Sequence, residues 1–311
     1  MKDYREGEKF VGTYLCKQKQ ILKIKAGKTY YSLTLQDKTG TADGKIWELN
    51  NGIANFEPMD YIHCEGMVTS FQGNLQMNIS RVRISDEGEY DLADYVPCTN
   101  KDVGEMFSRI LKYVASVQNK YLRKILEMYF VENKEFVDAF KKHSAAKSVH
   151  HGFMGGLLEH TLSVTDMCQY FAEHYPMIHR DLLITAALFH DMGKIQEISD
   201  FTMNDYTDDG QLLGHIYIGA RCMENAAAQI PNFPPKLKNE LVHCILAHHG
   251  KMEFGSPKVP AIMEAMALHM ADNADAKLQT LTEVFTQAGD NMGWLGFNRM
   301  FESNLRKTSE E

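Results

Sequence analysis

The feature that most constrains this chain is a change of hydrophobic period near residue 100. Residues 10 to 85 run in short alternating stretches broken by turn signals, whereas from about Asn100 apolar residues recur at helical spacing, as in "VGEMFSRILKYVASV" and "YLRKILEMYFVE". A period of two belongs to half-buried strands and a period of 3.6 to amphipathic helices. At 311 residues the chain is long enough for two cores. The switch therefore predicts a multidomain protein: a small all-β unit over 1–86, an acidic linker over 87–100, and an all-α unit over 101–311.

In the first unit, "FVGTYLCKQKQILKIKAGKTYYSLTLQDKTGTADGKIWE" reads as three strands, and "DYIHCEGMVTSFQ" with "LQMNISRVRI" as two more joined across "QGN". Five strands in about 80 residues with almost no helix point to a small closed barrel of the OB type. Alternation places Tyr31, Leu33, Leu35, Leu75, Met77 and Ile79 inside, with Tyr30, Ser32, Thr34, Gln36, Gln76, Asn78 and Ser80 outside.

Charge divides the chain the same way. Residues 1 to 85 carry 12 Lys+Arg against 9 Asp+Glu, and the remainder 21 against 32, within an overall net charge of −8. The connection "KQKQILKIKAGK" gathers Lys17, Lys19, Lys23, Lys25 and Lys28 where OB folds engage oligonucleotides, and Tyr30, Trp47 and Phe71 are aromatic faces for base stacking. The bland reading of the same lysines is a solvated edge that discourages aggregation. No stretch approaches the roughly 18 apolar residues of a membrane span, and the charged N-terminus lacks a signal-peptide core, so a cytoplasmic protein is expected. Six cysteines without CxxC spacing read as reduced core thiols.

Twelve of the thirteen histidines lie in the helical unit. His160 sits near the start of one helix. "AALFHDMGK" ends another with His190 and Asp191, where buried polar groups are costly unless partnered, with Gly193 as the helix stop. His215 begins a third helix, "AHHG" closes a fourth with His248 and His249, and "HMADNADAK" supplies Asp272. Imidazoles with carboxylates suit divalent Mn, Fe, Co, Ni or Zn, with tolerance for Mg. A carboxylate beside a histidine has a second oxygen with which to bridge two ions, and two ions about 3.5–4 Å apart clamp a phosphate during in-line displacement. His143, His174, His179 and His243 read as ordinary satisfied or exposed histidines, and His269 as a core residue or one standing behind the ligands. His150 and His151 precede the first donor on a glycine-bearing loop, where they would line a substrate entrance or act as plain loop residues; His151 and His249 are also candidates to stand behind the ligands.

The ordered pattern His160, His190-Asp191, Asp272 resembles the HD superfamily of metal-dependent phosphohydrolases. His215 and one of the "HH" pair, His248 by preference over His249, match the added ligands of its two-metal members. Lys194 matches the lysine of the "HDxGK" variant, paired with Asp191 or a phosphate. An OB module ahead of "HHGFMGGLLEHT", "FHDMGK", "LLGHI", "ILAHHG" and "HMADNADAK" is similar, from about Phe10 to Lys277, to the YhaM-type 3′-to-5′ exoribonucleases. The resemblance implies an all-α HD domain and an enzyme that releases nucleoside monophosphates from single-stranded RNA, with single-stranded DNA as a second substrate. It also implies two divalent ions, manganese first, with Mg, Co or Fe(II) as substitutes, Asp191 and Lys194 as catalytic residues, and compatibility with a homo-oligomer.

Two rivals stand beside it. One is an HD nucleotide or cyclic-nucleotide phosphohydrolase with a regulatory barrel. The other is a non-catalytic single-strand-binding accessory protein, against which the complete donor set argues.

Overall fold

A computed structural model of the chain describes residues 4–24, 27–71, 73–86, 88–91, 94–146, 151–199 and 205–309. Lys25 and His150 lie outside the described residues. The chain divides into two units, Met1–Cys98 and Thr99–Glu311.

The first unit is a five-stranded closed barrel, β1 (Lys9–Lys23), β2 (Thr29–Asp37), β3 (Gly40–Ile46), β4 (Tyr61–Phe71) and β5 (Asn74–Ile84), in the order β1-β2-β3-β5-β4. This arrangement is consistent with an OB fold. Closure is achieved by β1, whose first half pairs with β4 from Lys9 to Leu15 and whose second half pairs with β2 from Leu15 to Lys23. An irregularity between Cys16 and Gln18 bends the strand between its two partners. The circle is completed by the parallel contact of β3 with β5, Asp43 opposite Gln76 and Lys45 opposite Asn78.

Leu33, Leu35, Ile46, Phe56, Ile62, Val68, Met77 and Ile79 fill the interior, and full burial of each such side chain is worth roughly 1.5–3 kcal/mol. Tyr31 packs partly buried against them. Leu75 departs from its expected inward position and is exposed. It pairs with Ser70 at the tip of the β4–β5 hairpin, beyond the β3 contact that closes the barrel.

The long β1 also changes the reading of the lysines, since Lys17, Lys19 and Lys23 are strand residues and not loop residues. Lys17 and Lys23 are exposed. Lys19 is withdrawn from the surface: its ammonium lies 4.7 Å from the Tyr31 ring centre and 4.5 Å from that of Phe56, and donates to the Phe56 carbonyl at 2.5 Å. Its aliphatic stem packs and its charge is held by π faces and a carbonyl, so Lys19 stabilises the barrel where a phosphate contact was expected. Lys28 is exposed and lies 3.2 Å from Glu48. Tyr30 and Trp47 stack on each other, centroids 4.6 Å apart at 25°, and Phe71 is exposed. Within the stretch read as a linker, Tyr90 stacks on Tyr61 at 4.1 Å and Tyr95 is buried beside them.

The second unit contains α1 (Val103–Ser116), α2 (Lys120–Glu127), α3 (Lys134–Lys142), α4 (Gly156–His174), α5 (Arg180–Phe189), α6 (Lys194–Glu197), α7 (Asp208–Ala228), α8 (Pro235–Ala247) and α9 (Met263–Gln287), and a two-residue hairpin, β6 (Phe297–Asn298) with β7 (Ser303–Asn304), follows. Starts are set by side-chain caps: Asp102, Asn119, Asn133 and Thr207 each accept from a backbone N–H of the first turn. From Leu182 to Phe189 every residue of α5 is buried, as befits a helix at the centre of a bundle. Among the described residues no helix is long and apolar enough to cross a membrane.

Gly193 is not a left-handed helix stop. Its φ of −63° and ψ of −20° are right-handed helical values, and its role is steric. A Cβ there would stand 2.1 Å from the His215 carbonyl oxygen, so the bare backbone lets the turn that opens α6 lie against α7.

Candidate metal centre

The ends of α5 and α8, the middle of α9, the second turn of α4 and a break in α7 converge on one buried cluster of side chains. His190 caps α5 and Asp191 follows it; His248 caps α8 and His249 follows it. His160 lies within α4 and Asp272 within α9. His215 follows Gly214, whose φ of 72° and ψ of 152° interrupt α7. That conformation is inexpensive only for glycine. It redirects the chain so that the backbone N–H and Nδ1–H of His215 both donate to Glu197 Oε1 at 2.9 Å.

Asp191 lies at the centre. Its Oδ2 is 3.3 Å from His160 Nε2 and 3.4 Å from His190 Nε2, while its Oδ1 is 3.6 Å from His215 Nε2 and 3.7 Å from His248 Nε2. The two oxygens of one carboxylate therefore face two donor sets. Set one comprises His160, His190 and Asp272; set two comprises His215, His248 and His249, each with ligand atoms within 4.8 Å of one another. Both histidines of the "HH" pair thus reach set two, where one was expected. Lys194 Nζ lies 2.6 Å from Asp191 Oδ2.

The imidazoles are held in one tautomer. Nδ1 of His160 faces Asp275 Oδ2 at 2.6 Å, that of His190 the Ala187 carbonyl at 2.8 Å, that of His248 the Ile245 carbonyl at 2.6 Å and that of His249 the Phe254 carbonyl at 2.8 Å. Since those partners only accept, each Nδ1 carries a proton, and in the neutral ring Nε2 is left as the nitrogen that can bind a metal. The Nε2 atoms of His160 and His190 approach to 3.2 Å, close enough for both to bind one cation. Asp191 Oδ1, His215 Nε2 and His248 Nε2 are buried and have no hydrogen-bond partner. Unpaired buried acceptors in this number cost several kcal/mol, and a divalent ion is the group that satisfies them. The donor set fits metal.

Electrostatics agree. Burial alone would raise the Asp191 carboxyl, but Lys194, His190 and His160 outweigh it and hold it well below the usual carboxylate range. Asp272 is lowered likewise against burial, chiefly by His160 and His190. Burial lowers His160, yet hydrogen bonds to Asp191, Asp272 and Asp275 raise it well above the ordinary imidazole value, so in the absence of a cation its Nε2 holds a proton that a metal ion would displace. His248 is pushed well below that value by burial and by His249, which keeps its Nε2 lone pair open.

The remaining histidines have structural partners. His143 is buried between the Ser144 and Ile198 carbonyls, His179 caps α5, His243 accepts from the Ala261 N–H, His174 stacks on Tyr170, and His269 bonds the His248 carbonyl. Of the two places expected for His151, the structure shows it behind a ligand and not at an entrance: it is buried behind His160, and its Nε2 contacts Asp275 at 2.9 Å. Its φ of 56° is rare for a non-glycine residue.

Sequence reasoning missed Asp275 and Glu197. Asp275 lies one helical turn beyond Asp272, and Glu197 one turn beyond Lys194. Each had only that spacing to mark it.

A helical unit that gathers a His-Asp pair with further histidines and a distant aspartate around one bridging carboxylate is an HD domain, and residues 157–277 match the HD domain family. Over both units, the chain is similar to proteins named 3′-5′ exoribonuclease YhaM. It is 32% identical to that of Geobacillus sp. (strain WCH70) over 257 residues, which cover 82% of this chain and 78% of the relative. Against that of Bacillus subtilis (strain 168) it is 32% identical over 262 residues, 82% of this chain and 81% of the relative. Against that of Shouchella clausii (strain KSM-K16) the identity is 31% over 287 residues, 90% and 88%. The chain belongs to the YhaM family of 3′-5′ exoribonucleases.

Proposed function

We propose that this protein is a metal-dependent exonuclease that removes nucleoside monophosphates from the 3′ end of single-stranded RNA, with single-stranded DNA as a poorer substrate, in the cytoplasm. The observation that carries the reading is the division of Asp191, one oxygen toward His160 and His190 and the other toward His215 and His248. His160, His190 and Asp272 would hold one ion and His215, His248 and His249 the other, with Asp191 shared. Donor sets this rich in imidazole favour manganese, iron or cobalt over magnesium. The bound ions would lower the pKa of coordinated water, supplying a nucleophile at neutral pH, and neutralise charge on the phosphoryl oxygens.

The protein groups do the rest. Asp191 keeps its charge because Lys194 sits against it, and Lys194 keeps that oxygen from drawing a proton. The tautomer-fixing contacts at Nδ1 hold every Nε2 aimed inward before substrate arrives, so little reorganisation is needed at the moment of reaction. Residues 1–86 would act as the capture module and 101–311 as the hydrolytic one, and a homo-oligomer is compatible with this division.

Two RNAs of one sequence, one carrying a blocked 3′ end, distinguish this reading from its rivals when incubated with manganese. The unblocked strand is expected to shorten in a ladder from its 3′ end while the blocked strand persists. Equal loss of both overturns the exonuclease reading, and turnover of small phosphodiesters with no action on either RNA favours a nucleotide phosphohydrolase.

RNA capture is also expected to weaken steeply with salt, since the body of the molecule is acidic and binding depends on the basic barrel. Replacing Lys17 and Lys23 together by alanine should reduce the slope of log K against log salt by about 1.4, at about 0.7 per single-strand phosphate contact. Titrations at several salt concentrations measure it, and an unchanged slope removes these lysines from the interface.

A further inference from the structure

We propose that Asp275 and Glu197 are positioning residues, each assigned to a different ion of the centre: Asp275 orients His160 for the first and Glu197 orients His215 for the second. This rests on the two-ion reading above.

The five inward-facing histidines are backed in two ways. His190, His248 and His249 donate Nδ1–H to backbone carbonyls, whereas His160 and His215 donate to carboxylates. A carbonyl fixes the ring; a carboxylate fixes it and also raises the basicity of the opposite nitrogen, which strengthens its bond to a metal. One carboxylate-backed imidazole falls in each donor set.

Both backing carboxylates are built into place. Asp275 is buried on α9, one turn from Asp272, so the two project from the same face. It accepts from His160 Nδ1 at 2.6 Å, from His151 Nε2 at 2.9 Å and from the Ser163 hydroxyl. His151 holds its place with backbone in the left-handed region, and its N–H donates to Glu283 Oε1 at 3.2 Å. Strain of this kind, at a buried residue bonded to the backing carboxylate, persists only where its surroundings enforce it. Gly156 makes room for it, because a Cβ there would meet the His151 carbonyl oxygen at 2.0 Å. Glu197, buried at the end of α6, accepts from both N–H groups of His215 across the Gly214 break. The two networks share no residue, so each should act on its own ion.

The test uses the full-length protein stripped of metal by chelation and titrated with Mn(2+) in a calorimeter, beside Asp275→Asn and Glu197→Gln. Wild type is expected to show two binding events, assigned by His160→Ala and His215→Ala. Asp275→Asn should weaken by about 10–100-fold the event that His160→Ala removes, leaving the other within about threefold, and Glu197→Gln should do the reverse. Wild-type protein with fewer than two events counts against the two-ion reading itself. Two wild-type events that both variants leave unchanged, or that either variant weakens equally, overturn the assignment of Asp275 and Glu197. Circular dichroism verifies folding; if Asp275→Asn fails to fold, Ser163→Ala and His151→Asn each remove one donor to Asp275, and both must weaken the His160 event alone. Asparagine suits position 151 because it tolerates positive φ.

Discussion

Replacing Asp191 by asparagine is expected to abolish RNA hydrolysis, with turnover falling by on the order of 10³-fold or more, while RNA retention by the barrel stays close to wild type. The amide preserves the shape of the carboxylate and removes its charge, and that charge is what both donor sets share. Metal-assisted stabilisation is worth several kcal/mol, and each 1.36 kcal/mol is a factor of ten in rate. Alanine should be equally inactive and less stable, because it leaves Lys194, 2.6 Å from the carboxylate in the native protein, without its partner in a buried setting. Single-turnover degradation of a labelled RNA, with equilibrium binding measured alongside, checks both halves. Activity within tenfold of wild type would move the catalytic centre away from Asp191.

Gly193→Ala is expected to lower turnover by about 10²-fold, the order of loss that a misplacement of about 1 Å produces, and to cost roughly 1–3 kcal/mol of stability through overpacking. The cause is backbone against backbone. The added Cβ would lie 2.1 Å from the His215 carbonyl oxygen and 2.9 Å from the Gly219 nitrogen, and neither atom can swing away as a side chain would. Separating the turn between α5 and α6 from α7 pulls His215 from Asp191. Gly219→Ala is the control: its Cβ would meet its nearest neighbour at 3.6 Å, an ordinary contact, so activity should hardly change and the melting temperature should hold or rise slightly, since alanine favours the helix interior. Thermal melts and steady-state turnover for the pair decide the matter, and equal behaviour of the two variants removes the steric explanation.

Much of the site was legible because its residues are out of place by local rules. His190 and Asp191 end an apolar helix, His160 lies where α4 is buried, and such groups imply a partner that repays their desolvation. The barrel was legible because alternation and turn residues are local signals. Leu75 misled because alternation says which face a side chain takes, not where the barrel stops. Lys19 misled because a lysine's sequence neighbours do not reveal two aromatic rings brought to it by β2 and the segment after β3. Asp275 and Glu197 passed unnoticed because a carboxylate on a helix is commonplace until a histidine from another helix is seen against it.

By itself, then, the sequence determined the two fold classes and the residue types of the centre, since hydrophobic period and the cost of burying imidazole and carboxylate are properties of local chain. Only the tertiary structure decided that Asp191 divides its oxygens between two donor sets, that His248 and His249 both enter the second, that Asp275 and Glu197 stand behind His160 and His215, and that Gly193 is glycine for want of space. Each of these depends on atoms from helices distant in sequence meeting within a few ångströms, and such meetings are set by packing of the whole unit.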